Sequence, residues 1–222
     1  MTARVLIKAA MRSADVGHLA EEIQRLEAAG IDGLHFDVMD GRFVPELYLG
    51  PSIIRGLRKY TTLPYEVHLL VQEPSVCLAH YVDAGANRVF IHIESDGDPA
   101  AMLSRLNKRG CGAGLAMVPG TPASRLEPYL DGCDCVNAMT VVPGTPGVLS
   151  EAGVESLREI AALVQRTGRS TLVQVDGAVS PATRQRFLDA GASSFVAGHP
   201  IFSRPACGEA IAELREAVVM KE

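Results

Sequence analysis

Four residues in this sequence have the types and spacing of a metal site. His35 and Asp37 stand two apart in His35-Phe36-Asp37-Val38-Met39-Asp40, His68 lies in Glu66-Val67-His68-Leu69-Leu70, and Asp176 closes Gln174-Val175-Asp176-Gly177. In an extended strand, alternation sends His35, Asp37 and Met39 to one face and Phe36 and Val38 to the other. Two imidazoles and two carboxylates brought together offer nitrogen and oxygen ligands suited to Zn²⁺, Mn²⁺, Fe²⁺ or Co²⁺. Taken singly, each is more simply a buried polar residue satisfied by its neighbours. Taken together they are not, because two unpaired carboxylates in one buried site repel each other unless a cation joins them. His92 and Glu94 share the same two-residue spacing in Ile91-His92-Ile93-Glu94. They are candidates for a supporting or substrate-facing role, with a purely structural one equally open. Met39, Met117 and Met139 read as core residues by composition, and at strand ends they are placed to line a site.

These groups meet only if the fold gathers strand ends in one place. Short β-branched runs alternate with amphipathic ones along the chain, and the strands expected are Arg4–Ala9, Gly33–Val38, Tyr65–Val71, Arg88–Ile93, Gly112–Val118, Cys135–Val141, Thr171–Val175 and Ser194–Ala197. Between them run helical patterns such as Leu19, Ile23, Leu26 and Ala29, or Leu157, Ile160, Leu163 and Val164. Ala28-Ala29-Gly30, Asp83-Ala84-Gly85, Lys108-Arg109-Gly110 and Asp189-Ala190-Gly191 each place a glycine where a helix should stop. Two consecutive units carry one pentapeptide, Val118-Pro119-Gly120-Thr121-Pro122 and Val142-Pro143-Gly144-Thr145-Pro146. Eight strand–helix units of about 28 residues make an α/β fold, a single-domain (β/α)₈ TIM barrel over residues 1–222. An open doubly wound sheet fits less well, since no Gly-x-Gly-x-x-Gly follows the first strand. In a barrel the chemistry sits at the C-terminal strand ends, where all four residues lie.

Composition narrows the function. The 222 residues are 47% hydrophobic and 21% charged, with a net charge of −5, no tryptophan and 5% aromatics. No basic stripe is present to hold nucleic acid, and stacking platforms for bases are poor. No apolar run approaches the ~18–20 residues of a membrane span. Met1-Thr2-Ala3-Arg4-Val5 lacks the features of a signal peptide. The five cysteines are odd in number and irregularly spaced, and Cys133-x-Cys135 is too tight for a zinc ribbon. A cytoplasmic protein with reduced thiols is expected, with a small molecule rather than nucleic acid or membrane as its partner.

With these residues in view, the sequence resembles the ribulose-phosphate 3-epimerase family along nearly its whole length. The segment from His35 to Pro45 fits the family pattern H-x-D-V-M-D-G-x-F-V-P. Support comes from Ser13-Ala14-Asp15, Val67-His68-Leu69, Met139-Thr140-Val141 with Pro143-Gly144, Val175-Asp176-Gly177 and Ala197-Gly198. The resemblance implies a metal-dependent isomerase of the pentose phosphate pathway. Such an enzyme inverts C3 of a ketose phosphate, D-ribulose 5-phosphate to D-xylulose 5-phosphate or a related sugar phosphate. It implies one divalent ion on His35, Asp37, His68 and Asp176, with Asp37 and Asp176 as the acid/base pair. It implies substrate contacts from His68, Met39 and Met139, a phosphate cradle of Gly144, Thr145, Pro146, Gly147, Gly177, Ala178, Gly198 and His199, and assembly as a homo-oligomer. The chemistry is coherent, since inverting a centre beside a carbonyl takes a proton from one face and returns one to the other.

The departures from the family pattern gather around the substrate's tail. Ala9 and Ala10 replace Pro-Ser ahead of Leu-Ser-Ala-Asp, Leu70 replaces a methionine, and Val118 and Val142 replace asparagines. Gly144-Thr145-Pro146-Gly147-Val148 replaces Gly-Phe-Gly-Gly-Gln, Ala178 a second glycine, His199 a serine, and Glu46 and Tyr48 an asparagine and a threonine. Pro146 and Pro200 each remove a backbone donor, and Gly144–Val148, Asp176–Val179 and Gly198–Ile201 contain no lysine or arginine. Thr145 and His199 offer partial compensation. Two other readings stay open, a ketose 3-epimerase for a different, non-phosphorylated sugar and a sugar-binding descendant without catalysis. A decarboxylase is disfavoured, because no Asp-x-Lys-x-x-Asp pattern is present and Lys8 is the sole lysine near a strand end.

Overall fold

The apolar runs of the sequence pair in parallel, each with its neighbour, until the last meets the first. The computed structural model describes residues 4–145 and 147–216. Its strands are β1 (Leu6–Ala10), β2 (Gly33–Asp40), β3 (Leu47–Tyr48), β4 (Tyr65–Leu70), β5 (Arg88–His92), β6 (Gly112–Met117), β7 (Cys135–Met139), β8 (Leu172–Asp176) and β9 (Ser194–Ala197). All but β3 form a closed parallel barrel, with β1 joined to both β2 and β9. This is the (β/α)₈ barrel expected from the alternating pattern.

The strand ends differ from expectation in an informative way. β2 runs on to Asp40 because the chain folds back and β3 pairs antiparallel with it, Met39 opposite Tyr48 and Asp40 opposite Leu47. β6 stops at Met117 because the Val118 N–H turns aside to the Glu94 carboxylate at 3.1 Å. β7 stops at Met139, and the next residue, Thr140, gives its N–H to the Asp176 carbonyl.

Helices α1 (Leu19–Ala28), α2 (Pro51–Leu57), α3 (Pro74–Asp83), α4 (Pro99–Lys108), α5 (Glu151–Thr167), α6 (Pro181–Asp189), α7 (His199–Phe202) and α8 (Cys207–Arg215) surround the barrel. Proline opens α2, α3, α4 and α6, where its missing N–H costs nothing. The four helix-stopping glycines, Gly30, Gly85, Gly110 and Gly191, all take positive φ, from 67° to 100°. One unit departs from the pattern. After β6 the chain forms two 3₁₀ segments, Ala123–Arg125 and Glu127–Gly132, in place of an α-helix. Pro128 has no N–H to give the Ser124 carbonyl, so an α-helical turn cannot propagate through it. No helix among the described residues is long and apolar enough to cross a membrane. All five cysteines are unpaired thiols.

Strand alternation divides the side chains. Phe36, Val38, Val67, Leu69, Val89 and Ile91 face outward and join Ile23, Leu26, Leu78, Leu103 and Leu106 of the helices in one apolar core. Burying each such side chain contributes roughly 1.5–3 kcal/mol. The inner face is different: Lys8, His35, Glu66, His68, His92, Asn137, Gln174 and Ser194 are all buried there. Phe90 lies among them, packed with Ala116 and Cys135, its ring 6.0 Å from that of His35 and 6.3 Å from that of His68. The ring fits only because position 114 is glycine, where a Cβ would stand 2.2 Å from Phe90 Cδ1. Gly114→Ala is therefore expected to destabilise the barrel by about 1–3 kcal/mol through overpacking. A lowered urea midpoint with unchanged slope checks this, and an unshifted midpoint would show that Phe90 moves aside freely.

Candidate metal centre and active site

The ladder register places the chemistry. Asp37 of β2 lies opposite His68 of β4, and Asp176 ends β8 opposite Met139 of β7. His35 stands two residues before Asp37 and so shares its face. One ligand atom from each of His35, Asp37, His68 and Asp176 lies within 4.8 Å of all the others. His68 Nδ1 is 3.1 Å from Asp37 Oδ1 and 3.4 Å from Asp176 Oδ2. His35 Nε2 is 3.4 Å from Asp176 Oδ2 and 3.6 Å from Asp37 Oδ1. The imidazoles are fully buried, whereas the two carboxylates are each 14% exposed. The histidines form the floor and the aspartates the rim.

The surroundings orient both rings toward the same point. Glu94 accepts from Nδ1 of His92 at 3.0 Å, and His92 Nε2 lies 2.9 Å from His68 Nε2. Burial, followed by the opposing influence of Glu94 and the like charge of His68, leaves the His92 pKa lowered, so its ring is neutral. His92 thus donates to Glu94 and accepts from Nε2 of His68, and Nδ1 of His68 is turned to the two aspartates, donating to Asp37 at 3.1 Å when the ring is protonated. His35 is held from behind in the same manner, with Nδ1 3.5 Å from Glu66 Oε2. Its Nε2 is buried with no hydrogen-bond partner among the described residues. Two imidazole nitrogens and two carboxylates converging on one point call for positive charge, and once the rings give up their protons this donor set fits a divalent first-row ion.

The electrostatics agree. Burial opposes charge on His35, yet hydrogen bonds to Asp176, Asp37 and Glu66 outweigh it and raise its pKa well above the ordinary value. Burial likewise acts to raise Asp176, but His35 and His68 hold it far below the usual carboxylate range, and Asp37 is lowered for the same reasons. The pocket attracts positive charge, whether as protons or as a metal ion.

Above this centre opens a cavity of ≈ 510 Å³. Asp37, Asp176, Met39 and Met139 line it, with Gly144, Thr145, Gly147, Gly177, Ala178, Gly198 and His199 from the three loops after β7, β8 and β9. Pro146 lies outside the described residues. His68 is behind Asp37 and does not reach the cavity wall. Met39, Met139, Leu70 and Val44 form one apolar cluster beside the carboxylates.

A profile of the ribulose-phosphate 3-epimerase family matches residues 6–202. The chain belongs to this family. It is 35% identical over 210 residues to the chloroplastic ribulose-5-phosphate-3-epimerase of Arabidopsis thaliana, covering 93% of this chain and 75% of that protein. It is 34% identical over 219 residues to the ribulose-phosphate 3-epimerase of Synechocystis sp., covering 97% and 95%. With that of Escherichia coli K12 it shares 35% over 212 residues, covering 95% and 94%. Among solved structures, a 3-hexulose-6-phosphate synthase shares the fold at a TM-score of 0.68 and 17% identity, over 95% of this chain and 98% of that one. The epimerase family is a family of isomerases, and the chain is one of them.

Several site residues of this epimerase family member escape a reading of sequence alone. Asn137 donates to Asp176 Oδ2 at 3.1 Å. Arg12 and Ser13, from the turn after β1, join the cavity wall. Glu66 lies on the inner face two residues before His68, and alternation alone would have marked it. It is 1% exposed and draws in Lys8 at 3.6 Å, Arg88 at 2.8 Å and Gln174 at 3.2 Å. Burial acts to raise its pKa, but His35, Lys8 and Arg88 hold it down at about 2. Glu66→Gln is expected to weaken metal binding roughly 10–100-fold in competition titrations with a chelating dye, by releasing His35. It should also destabilise the fold by about 3–5 kcal/mol, because Lys8 loses its buried counter-ion. A carboxylate with a lowered folded-state pKa stabilises above its unfolded pKa. The difference from wild type should therefore persist above pH ~4.5 and fade as the pH falls toward about 2. An unchanged denaturation midpoint at neutral pH would remove Glu66 from this role.

Proposed function

We propose that the chain epimerises C3 of D-ribulose 5-phosphate to give D-xylulose 5-phosphate, with Asp37 and Asp176 as its two proton-transfer groups. The observation that carries this is the pair of carboxylates, reaching one cavity from β2 and β8 and both within 3.6 Å of the same two buried imidazoles. Asp37 takes the C3 proton of one epimer from one face, and Asp176 supplies a proton to the opposite face of the planar enediolate; the return reaction exchanges the roles. Asn137 fixes the carboxylate of Asp176, and His68 that of Asp37. Met39, Met139, Leu70 and Val44 keep bulk water from the reacting face. His35, Asp37, His68 and Asp176 would hold one divalent ion, of zinc, manganese, iron or cobalt. Such an ion supplies several kcal/mol by withdrawing charge from the substrate's carbonyl oxygen. The loops at Gly144, Thr145, Pro146 and Gly147, at Gly177 and Ala178, and at Gly198 and His199 hold the substrate's tail. The unpaired thiols support a reducing compartment such as the cytoplasm.

A second substrate, the non-phosphorylated ketose, is favoured by one observation, the absence of lysine and arginine from all three tail loops. Hydrogen exchange at C3, followed by NMR in D₂O with metal-loaded protein, decides between them. Washout from D-ribulose 5-phosphate with growth of the xylulose epimer is expected. Washout from D-ribulose alone would select the second substrate, and none from either would refute an epimerase. Asp176→Asn should lower the exchange rate by roughly 10²–10⁴-fold, the usual worth of a positioned acid/base group. His68→Ala should lose bound metal together with activity, as read by elemental analysis of the purified protein. An active Asp176→Asn variant would sink the two-carboxylate assignment.

A further inference from the structure

The tail loops lack a cation, but the cavity does not. Arg12 is the sole lysine or arginine among the described residues lining it. It enters from the turn after β1 rather than from any of the three tail loops. The next residue, Ser13, packs directly on one of those loops, since a Cβ on Gly198 would meet Ser13 Oγ at 2.2 Å. The turn that carries Arg12 is thus pressed against the chain after β9.

The guanidinium is held by one edge. Its Nη2 donates to Glu46 Oε2 at 2.5 Å, from the loop between β2 and β3. Its Nε is buried and has no hydrogen-bond partner among the described residues. The side chain as a whole is 33% exposed on the cavity wall, so its pair with Glu46 does not close the guanidinium off from a ligand. Arginine has five donors in a rigid fork that matches phosphate, so one carboxylate can fix the group without using it up. Glu46 also balances the guanidinium charge when no anion is bound.

We infer that Arg12, pinned by Glu46, contacts the substrate's phosphate and supplies the charge that the tail loops lack. This rests on the reading of the site as one for a ketose phosphate. The competing role is mechanical, the Arg12–Glu46 pair merely tying down the loop between β2 and β3.

Two polyols that cannot be epimerised, ribitol 5-phosphate and ribitol, test the inference by calorimetric titration of the metal-loaded protein. The ratio of their dissociation constants isolates the phosphate. Wild type should favour ribitol 5-phosphate, and Arg12→Leu should cut that preference roughly 10–100-fold, the worth of a charge-assisted contact. Arg12→Lys should retain part of it, which separates charge from folding damage. Glu46→Gln breaks the same ion pair but keeps the cation, so the preference should hold within about fivefold, the ordinary limit for an exposed pair. The inference is overturned if wild type shows no preference, if Arg12→Leu leaves it intact, or if Glu46→Gln loses as much as Arg12→Leu. None of these outcomes depends on turnover. An Arg12-dependent preference without C3 exchange would therefore refute the activity alone, and C3 exchange without that preference would refute the role of Arg12 alone.

Discussion

Two carboxylates share one buried space at the mouth of this barrel, and the rest of the site follows from their repulsion. At about 4 Å, like charges in a protein of effective dielectric near 20 oppose each other by about 4 kcal/mol. Asp37 and Asp176 stay ionised because His35 and His68 lie between them. Each ring is held from behind so that one nitrogen faces the carboxylates. Glu94 acts through His92 on one ring and Glu66 acts directly on the other. Four negative groups thus surround two imidazoles, an arrangement that favours positive charge at its centre.

That accumulation of negative charge has to be balanced deeper in the barrel. A TIM barrel interior is ordinarily packed with branched apolar side chains. Here Lys8 and Arg88 enter from below and neutralise Glu66, while Gln174 bridges Glu66, Asn137 and Ser194. Replacing such a network by apolar groups can be neutral for stability, so its presence reads as positioning. Through Glu66 it aims His35, and through Asn137 it aims Asp176. The barrel axis carries a continuous polar chain from its base to Asp37 and Asp176, and Phe90, packed against Gly114, fills the gap beside it.

Much of this was legible in the sequence, for a local reason. Alternation within a strand needs no tertiary information, so His35, Asp37 and Met39 could be put on one face, and the repeating units put strands two, three and seven in one barrel. The helix-stopping glycines were readable because positive φ is a local demand. What depended on distant contacts was not. Alternation puts Glu66 on the face of His68, but its partners at positions 8, 88 and 174 cannot be read from the residues beside it. Arg12 joins the cavity only because β1 closes the barrel between β9 and β2. β3 exists only as the partner of an extended β2. The repeating units led to the expectation of a helix after β6 as after the others, and Pro128 replaces it with 3₁₀ turns.

The distribution of departures from the family pattern also has a structural cause. Asp37 and Asp176 sit in the strand ladders, Asp37 opposite His68 and Asp176 between Met139 and Val196, so any shift there would disturb neighbouring strands as well. The other cavity-lining residues sit on loops that interlock with one another instead. A Cβ on Gly177 would stand 2.6 Å from Val141 Cγ2, one on Gly198 would strike Ser13, and one on Gly144 would lie 3.5 Å from Pro45 Cδ. Each loop is therefore held by a neighbouring loop rather than by the barrel. Side chains on these loops can change together while the strands beneath them do not move. Arg12 and Glu46 lie on two such loops, on opposite sides of the β1–β2 seam, and their pairing joins the loops without touching a strand. The turn after β1 can thus present a cation to the cavity while leaving the geometry of Asp37 and Asp176 as it was.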